Sequence, residues 1–353
     1  MEYVKQLLLS SLLAIISLAL ESGVQVDERN FRVDLIIQCI RTSENPQTHN
    51  YALLLMATIA SVHPDPVLSN IMPVFTFMGA NVLRQDDNYS FLVIQQTLEK
   101  VIPPLVAFQR KNTPDSFTVT DVKPVMKVFV DALLHIPKHR RLRLFTVLVS
   151  TLGEADFLHP VVALILEKNI LLNPNVNPEK DKLDPESLSV FCINMANQFS
   201  SETVLKCLVQ LLVSINKLPQ ERPSKVPEKV EKEHLFNLSQ NTSKQLRQFK
   251  MSSLLFLSEV LSNKVFLQKL LTSTTQQEEM EKHYLALLEQ TLTFISGATS
   301  EQGKQEDQSA ISKLWKCKTH IFSFYFLHFF FFFLVPCSFF FLDLNTFPLP
   351  PQS

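Results

Sequence analysis

His63 to Leu105 reads HPDPVLSNIMPVFTFMGANVLRQDDNYSFLVIQQTLEKVIPPL, and this stretch decides the fold. Leu68, Ile71, Met72, Phe75 and Met78 recur every three or four residues, the period of one face of an α-helix. Asp65 stands where it can cap that helix, with Pro66 in the first helical position, where a missing N–H costs nothing. Gly79 stands where it can close the helix, because glycine tolerates the left-handed backbone of a helix end. A second helix is expected from Asp86 and Asp87, whose charges suit a positive helix start. Phe91, Ile94, Leu98, Val101, Ile102 and Leu105 form its stripe. Each helix has one apolar face that it cannot bury alone, so the pair reads as the unit of a stacked helical repeat.

The same grammar extends toward the N-terminus. A helix through Leu53, Leu54, Ala57, Ile59 and Ala60 follows the turn Ser43–Gln47, where Pro46 interrupts the hydrogen-bond ladder. Before it, Asp27 is expected to open a helix with Phe31, Leu35, Ile36 and Ile40 inside. The first twenty residues, MEYVKQLLLSSLLAIISLAL, imitate a signal peptide. Glu2 offsets Lys5, however, and no clean A-x-A cleavage site follows. A core helix burying Leu8, Leu12, Ile15, Ile16 and Ala19 is the preferred reading.

Toward the C-terminus, Thr120 is a plausible cap for a helix carrying Val122, Val125, Met126, Phe129, Leu133 and Ile136. The stretch PKHRRLRLFTVLVSTLG then gives a helix closed by Gly153, and His159 to Leu172 gives another. After a loop at Asn173–Leu183, Asp184 and Pro185 restart a helix containing Leu188, Phe191, Cys192, Met195 and Phe199, partnered by Ser201–Lys217. Residues 218–240 read as a flexible Pro- and charge-rich linker between repeats in 1–217 and repeats in 241–315. The later repeats comprise helices near Thr242–Ser262 and Glu278–Ile295, with a short turn at Val265–Leu271 and a polar loop from Gly297.

Residues 316–353 differ in kind. Eleven of the 22 residues from Ile321 to Leu342 are Phe. The length suits a bilayer, yet His328 and Pro336 interrupt it. Translated intron or an alternative terminal exon is the preferred reading, and a C-terminal anchor is its rival.

Composition narrows the function. Net charge is −1, so the chain as a whole is not an electrostatic binder of nucleic acid, and any RNA contact must be local. Only 5 Gly argue against a sandwich, a barrel or a Gly-loop nucleotide site. Cys39, Cys192, Cys207, Cys317 and Cys337 form no C-x-x-C pair, which speaks against a disulfide framework or a zinc site. His135 and His139 stand four apart, but Pro137 lies between them. No catalytic, cofactor or metal motif emerges. The sharpest surface feature is Lys138, His139, Arg140, Arg141 and Arg143. Lys138, Arg140, Arg141 and Arg143 are the candidate binding residues, suited to RNA phosphates or an acidic partner. The plainer alternatives are a solvated helix start or Arg forks tying adjacent repeats together.

The run FTFMGANVLRQDDNYSF, with VIPPL downstream, resembles the large HEAT-repeat family of the small-subunit processome. That family comprises HEAT-repeat-containing protein 1 and U3 small nucleolar RNA-associated protein 10. The likeness extends to about Trp315, and the chain resembles an internal fragment. It implies an all-α solenoid of HEAT-like hairpins and a nucleolar, non-enzymatic scaffold. The implied partners are processome proteins, the U3 ribonucleoprotein and pre-ribosomal RNA, in support of pre-rRNA transcription and small-subunit RNA maturation. A different helical-repeat adaptor, in trafficking or transport, and a membrane-anchored protein are the alternatives.

Overall fold

In the computed structural model, the described residues are 2–24, 26–27, 31–112, 118–172, 187–223, 234–272 and 277–299. They contain fourteen α-helices, short 3-10 turns and no strand. The helices are α1 (Glu2–Glu21), α2 (Val33–Thr42), α3 (Pro46–Val62), α4 (Pro64–Leu68), α5 (Ile71–Ala80), α6 (Asn88–Asn112) and α7 (Lys123–Ala132). They continue as α8 (Lys138–Leu152), α9 (Glu154–Leu172), α10 (Leu188–Ala196), α11 (Ser201–Asn216), α12 (Ser243–Leu261), α13 (Lys264–Thr272) and α14 (Gln277–Thr299).

Helix contacts fall into two rows. One runs α1, α3, α6, α8, α10, α12, and the other α5, α7, α9, α11, α14, each helix touching the next in its row. This is the all-α solenoid that the periodicity dictates: each helical pair covers the stripe of its neighbours. Phe75 of α5 meets Phe129 of α7 edge-on at 5.5 Å, and Phe145 of α8 meets Phe191 of α10 at 5.5 Å. The stripe Phe91, Ile94, Leu98, Val101, Ile102 and Leu105 is buried throughout.

Local chemistry sets several boundaries. Asn45 caps α3, accepting from the Gln47 N–H at 2.9 Å, with Pro46 at the first position. Thr242 and Gln245 form a reciprocal capping box on α12. Gly153 ends α8 with φ +110°, as the sequence requires.

Several expectations are corrected. The helix expected from Asp65 to Gly79 is two helices, broken at Ser69–Asn70, and Asp65 lies inside the first turn of α4. Gly79 is helical and closes nothing. A Cβ there would lie 3.1 Å from Val128 Cγ1, so the glycine sits at a close approach of α5 to α7. Asp27 does not open α2, which starts at Val33 and buries Val33, Ile36, Ile37 and Ile40 while Leu35 faces out. Thr118, not Thr120, heads the turn before α7, through a capping box with Asp121. The helix read from His159 begins at Glu154 and runs through Pro160. Ser187 caps α10, while Asp184 and Pro185 lie outside the described residues. Helix α14 includes Gly297, expected in a loop.

The linker read at 218–240 is also revised. Leu235, Phe236 and Leu238 are buried, and Phe236 packs on Phe249 of α12 at 4.7 Å. The buried Glu167 of α9 accepts from the Asn237 N–H at 2.9 Å and from Asn241 Nδ2 at 2.8 Å. Three apolar anchors and one carboxylate thus fix 234–241 in place, against its polar composition. Residues 224–233 and the Phe-rich tail lie outside the described residues.

In α1 the packed face is not the expected one. Leu9 and Ile16 are buried and Leu13 packs against the core, whereas Leu8, Leu12 and Ile15 are exposed. The polar residues decide the orientation. Glu2 accepts from Ser43 Oγ at 2.6 Å and Thr48 Oγ1 at 3.2 Å, and Gln6 donates to Thr48 at 3.2 Å. By length and composition α1 and α6 could each cross a membrane, but half of the α6 span is buried within the array.

Candidate docking surface

The basic cluster begins α8, whose N-terminus lies beside that of α6. Two positive helix ends side by side favour carboxylates, and Asp86 and Asp87 supply them. Asp87 caps α6, accepting from the Ser90 N–H at 2.8 Å. Burial pushes its carboxyl up, but hydrogen bonds from Ser90 and Tyr89 and the Arg140 charge outweigh this and hold it below the usual range.

Each arginine of the cluster is engaged inside the fold. Arg140 donates from Nε to Asp86 Oδ1 at 2.7 Å and from Nη2 to Asn88 Oδ1 at 3.1 Å. Its guanidinium lies over the Phe91 ring at 5.2 Å, and its side chain is only 11% exposed. Arg143 donates to Gln95 Oε1 at 3.2 Å and approaches the same ring at 5.3 Å. Arg141 donates to the Ile136 and Leu134 carbonyls at 2.9 and 3.0 Å. His139 Nε2 stands 3.3 Å from Asp86 Oδ1. Arg140 and Arg143 therefore tie α8 to α6, one of the plainer roles expected for the cluster, while Arg141 clamps the turn ahead of α8. Lys138 and Arg143 remain exposed to solvent.

A second charged locus escaped the sequence reading. Asp156 of α9 takes Arg110 of α6 at 3.1 Å and Lys206 of α11 at 3.1 Å. It borders a groove of about 630 Å³, lined also by Thr118, His159, Lys206 and Lys217. His159 is only 6% exposed, and its Nδ1 has no hydrogen-bond partner. Burial first, then the Lys206 charge, push its pKa down to about 4, with Asp156 opposing. The three charged members stand 46 and 50 residues from one another along the chain, so no short motif announces them.

Among the described residues no three His, Cys, Asp or Glu side chains gather as metal ligands. Cys192 and Cys207 are buried thiols whose burial raises their pKa, the reverse of an activated nucleophile.

Comparison with known proteins fits this picture of stacked helical pairs. Residues 118–322 match the family described as HEATR1-like, HEAT repeats. The chain belongs to this family. The HEATR1-like match ends at 322, two residues into the Phe-rich run. Among relatives, HEAT repeat-containing protein 1 of Homo sapiens is 39% identical over 339 residues, covering 90% of this chain and 15% of its own length. Its Danio rerio counterpart is 35% identical over 342 residues, covering 89% and 16%. U3 small nucleolar RNA-associated protein 10 of Pyricularia oryzae is 35% identical over 301 residues, covering 83% and 15%. The chain thus spans a small part of these HEAT-repeat relatives.

Proposed function

We propose that the chain acts as part of a non-enzymatic scaffold of the small-subunit processome, in the nucleolus. The observation that carries this reading is the 39% identity to HEAT repeat-containing protein 1 across 90% of the chain, beside relatives named for association with U3 small nucleolar RNA. A two-row helical array supports it physically. Such an array offers long outer faces for holding partners. In this role the chain holds processome proteins and meets the U3 ribonucleoprotein and pre-ribosomal RNA directly or through them. The assembly supports pre-rRNA transcription and 18S rRNA maturation.

Within this reading the basic cluster divides by task. Arg140 ties α8 to α6 and Arg141 clamps the turn before α8, while Lys138 and Arg143, exposed at the surface, present charge to phosphates or an acidic partner, Arg143 beside its contact with Gln95. The test is expression of the tagged chain in cells, with staining and co-purified RNA both measured. Nucleolar staining with U3 RNA enriched over an untagged control is expected. Vesicular or diffuse staining without U3 enrichment would favour the trafficking adaptor or the membrane-anchored protein instead.

A further inference from the structure

The groove beside Asp156 is lined by α9, α11, the turn at 118–120 and the segment 234–236. One wall is a polar ladder. Lys206, Gln210 and Ser214 follow every four residues along α11, and Lys217 stands just past its end. At 1.5 Å per residue the ladder runs about 16 Å, the length of about five residues of extended chain. Ala163, Val213, Leu218 and Leu235 supply apolar surface beside it. A groove of about 630 Å³ is large enough to enclose a ligand.

Polar groups along this groove are left without partners. The half-buried Gln210 side chain makes no hydrogen bond among the described residues, and the Nδ1 of the buried His159 has no partner. Buried polar atoms are ordinarily paired, so these two are open to a ligand. A side-chain amide both donates and accepts, which matches the N–H and C=O of a passing backbone.

Charge narrows the class of ligand. Three fixed cations, Arg110, Lys206 and Lys217, line the groove against one carboxylate, Asp156. Asp156 engages Arg110 and Lys206, whereas Lys217 is exposed and makes no ion pair among the described residues. An acidic ligand is therefore favoured. Nucleic acid fits less well, because Asp156 would face its phosphates. Phe236 and Phe249 are also buried against each other at 4.7 Å, which leaves neither ring open to a base.

We propose that this groove binds an extended segment of a partner protein, about five residues long, which sets an acidic side chain on Lys217 and an apolar one beside Leu235. Gln210 pairs with the backbone of that segment. The site is separate from the Lys138–Arg143 surface, and the inference does not depend on the nucleolar reading.

The test selects a phage-displayed random dodecapeptide library on the full chain. Recovered peptides are labelled with fluorescein and titrated by fluorescence anisotropy against the wild-type chain, Lys217→Glu, Gln210→Ala and an exposed control on α6, Lys100→Glu. Circular dichroism checks that each variant is folded. Peptides joining Asp or Glu to apolar residues are expected. Their affinity should fall at least about tenfold in Lys217→Glu and about threefold in Gln210→Ala, and stay unchanged in Lys100→Glu. Recovery of no peptide would overturn the proposal, as would equal affinity for wild type, Lys217→Glu and Gln210→Ala. Labelled oligouridylate that binds more tightly than the peptides and is lost in Lys217→Glu would assign the groove to RNA and overturn it equally. Gln210→Ala introduces no charge, so it keeps the test decisive if Lys217→Glu fails to fold.

Discussion

Replacing His159 by Phe should remove a pH-dependent part of the stability. The imidazole is 6% exposed and carries a pKa of about 4 in the fold, against an ordinary value of 6.5. The folded chain thus binds this proton less readily than the unfolded one. The neutral ring contributes fully above pH 6.5, and that contribution is lost as pH falls from there through about 4. A depression from 6.5 to about 4 corresponds to about 3 kcal/mol in all, of which about 2 kcal/mol is lost by pH 5. Urea unfolding followed by circular dichroism from pH 7.5 to 4 measures it in both proteins. Glu167 and Glu259, raised by burial, act with the opposite sign, losing their contribution as pH rises above the ordinary glutamate value. Both groups are present in each protein and cancel in the difference. The wild-type curve should therefore fall relative to His159→Phe by about 2 kcal/mol between pH 7 and pH 5. Parallel curves would refute the argument, showing that the ring reaches water or a partner when charged.

Three further outcomes follow from the packing. Arg140→Ala removes two hydrogen bonds and a ring contact at a mostly buried side chain, and should cost about 1–3 kcal/mol in urea unfolding. Lys138→Ala with Arg143→Ala should weaken recovery of U3 RNA or processome proteins with less change in stability than Arg140→Ala; equal losses of stability would make the whole cluster structural. Gly79→Leu forces a side chain against Val128, 3.1 Å from the first added carbon, and should cost about 1–3 kcal/mol, read as a lowered melting temperature. Glu167→Ala strands the Asn237 N–H and leaves Asn241 Nδ2 with only its bond to the Asn237 carbonyl, and should cost about 1–3 kcal/mol, together with faster proteolysis at 234–241.

Much of the fold is legible in the residues because a helix buries what recurs every three or four positions. The stripe on α6 is correct at all six positions. Legibility fails where more than one face qualifies. Leucines at 7, 8, 9, 12, 13, 18 and 20 surround α1, and only the partners of Glu2 and Gln6, some forty residues away, select the packed side. Gly79 has two honest explanations in sequence, a helix end or a close approach, and Val128 decides between them. The segment 234–241 reads as polar linker because its anchor, Glu167, belongs to another helix. The arginine cluster is visible as charge, but its direction depends on Asp86, Asn88 and Gln95, 48–54 residues away along the chain. Charge runs reveal what a residue can hold, and the fold reveals whether it already holds it.

The account rests on neighbouring helical pairs stabilising one another, and the Phe75–Phe129 contact between α5 and α7 tests this most directly. A double-mutant cycle with Phe75→Leu and Phe129→Leu, followed by urea unfolding, measures their coupling while keeping both sites apolar. The edge-on rings at 5.5 Å predict a coupling of about 0.5–1.5 kcal/mol. Strict additivity of the two losses would contradict it, showing that this contact does not couple one repeat to the next.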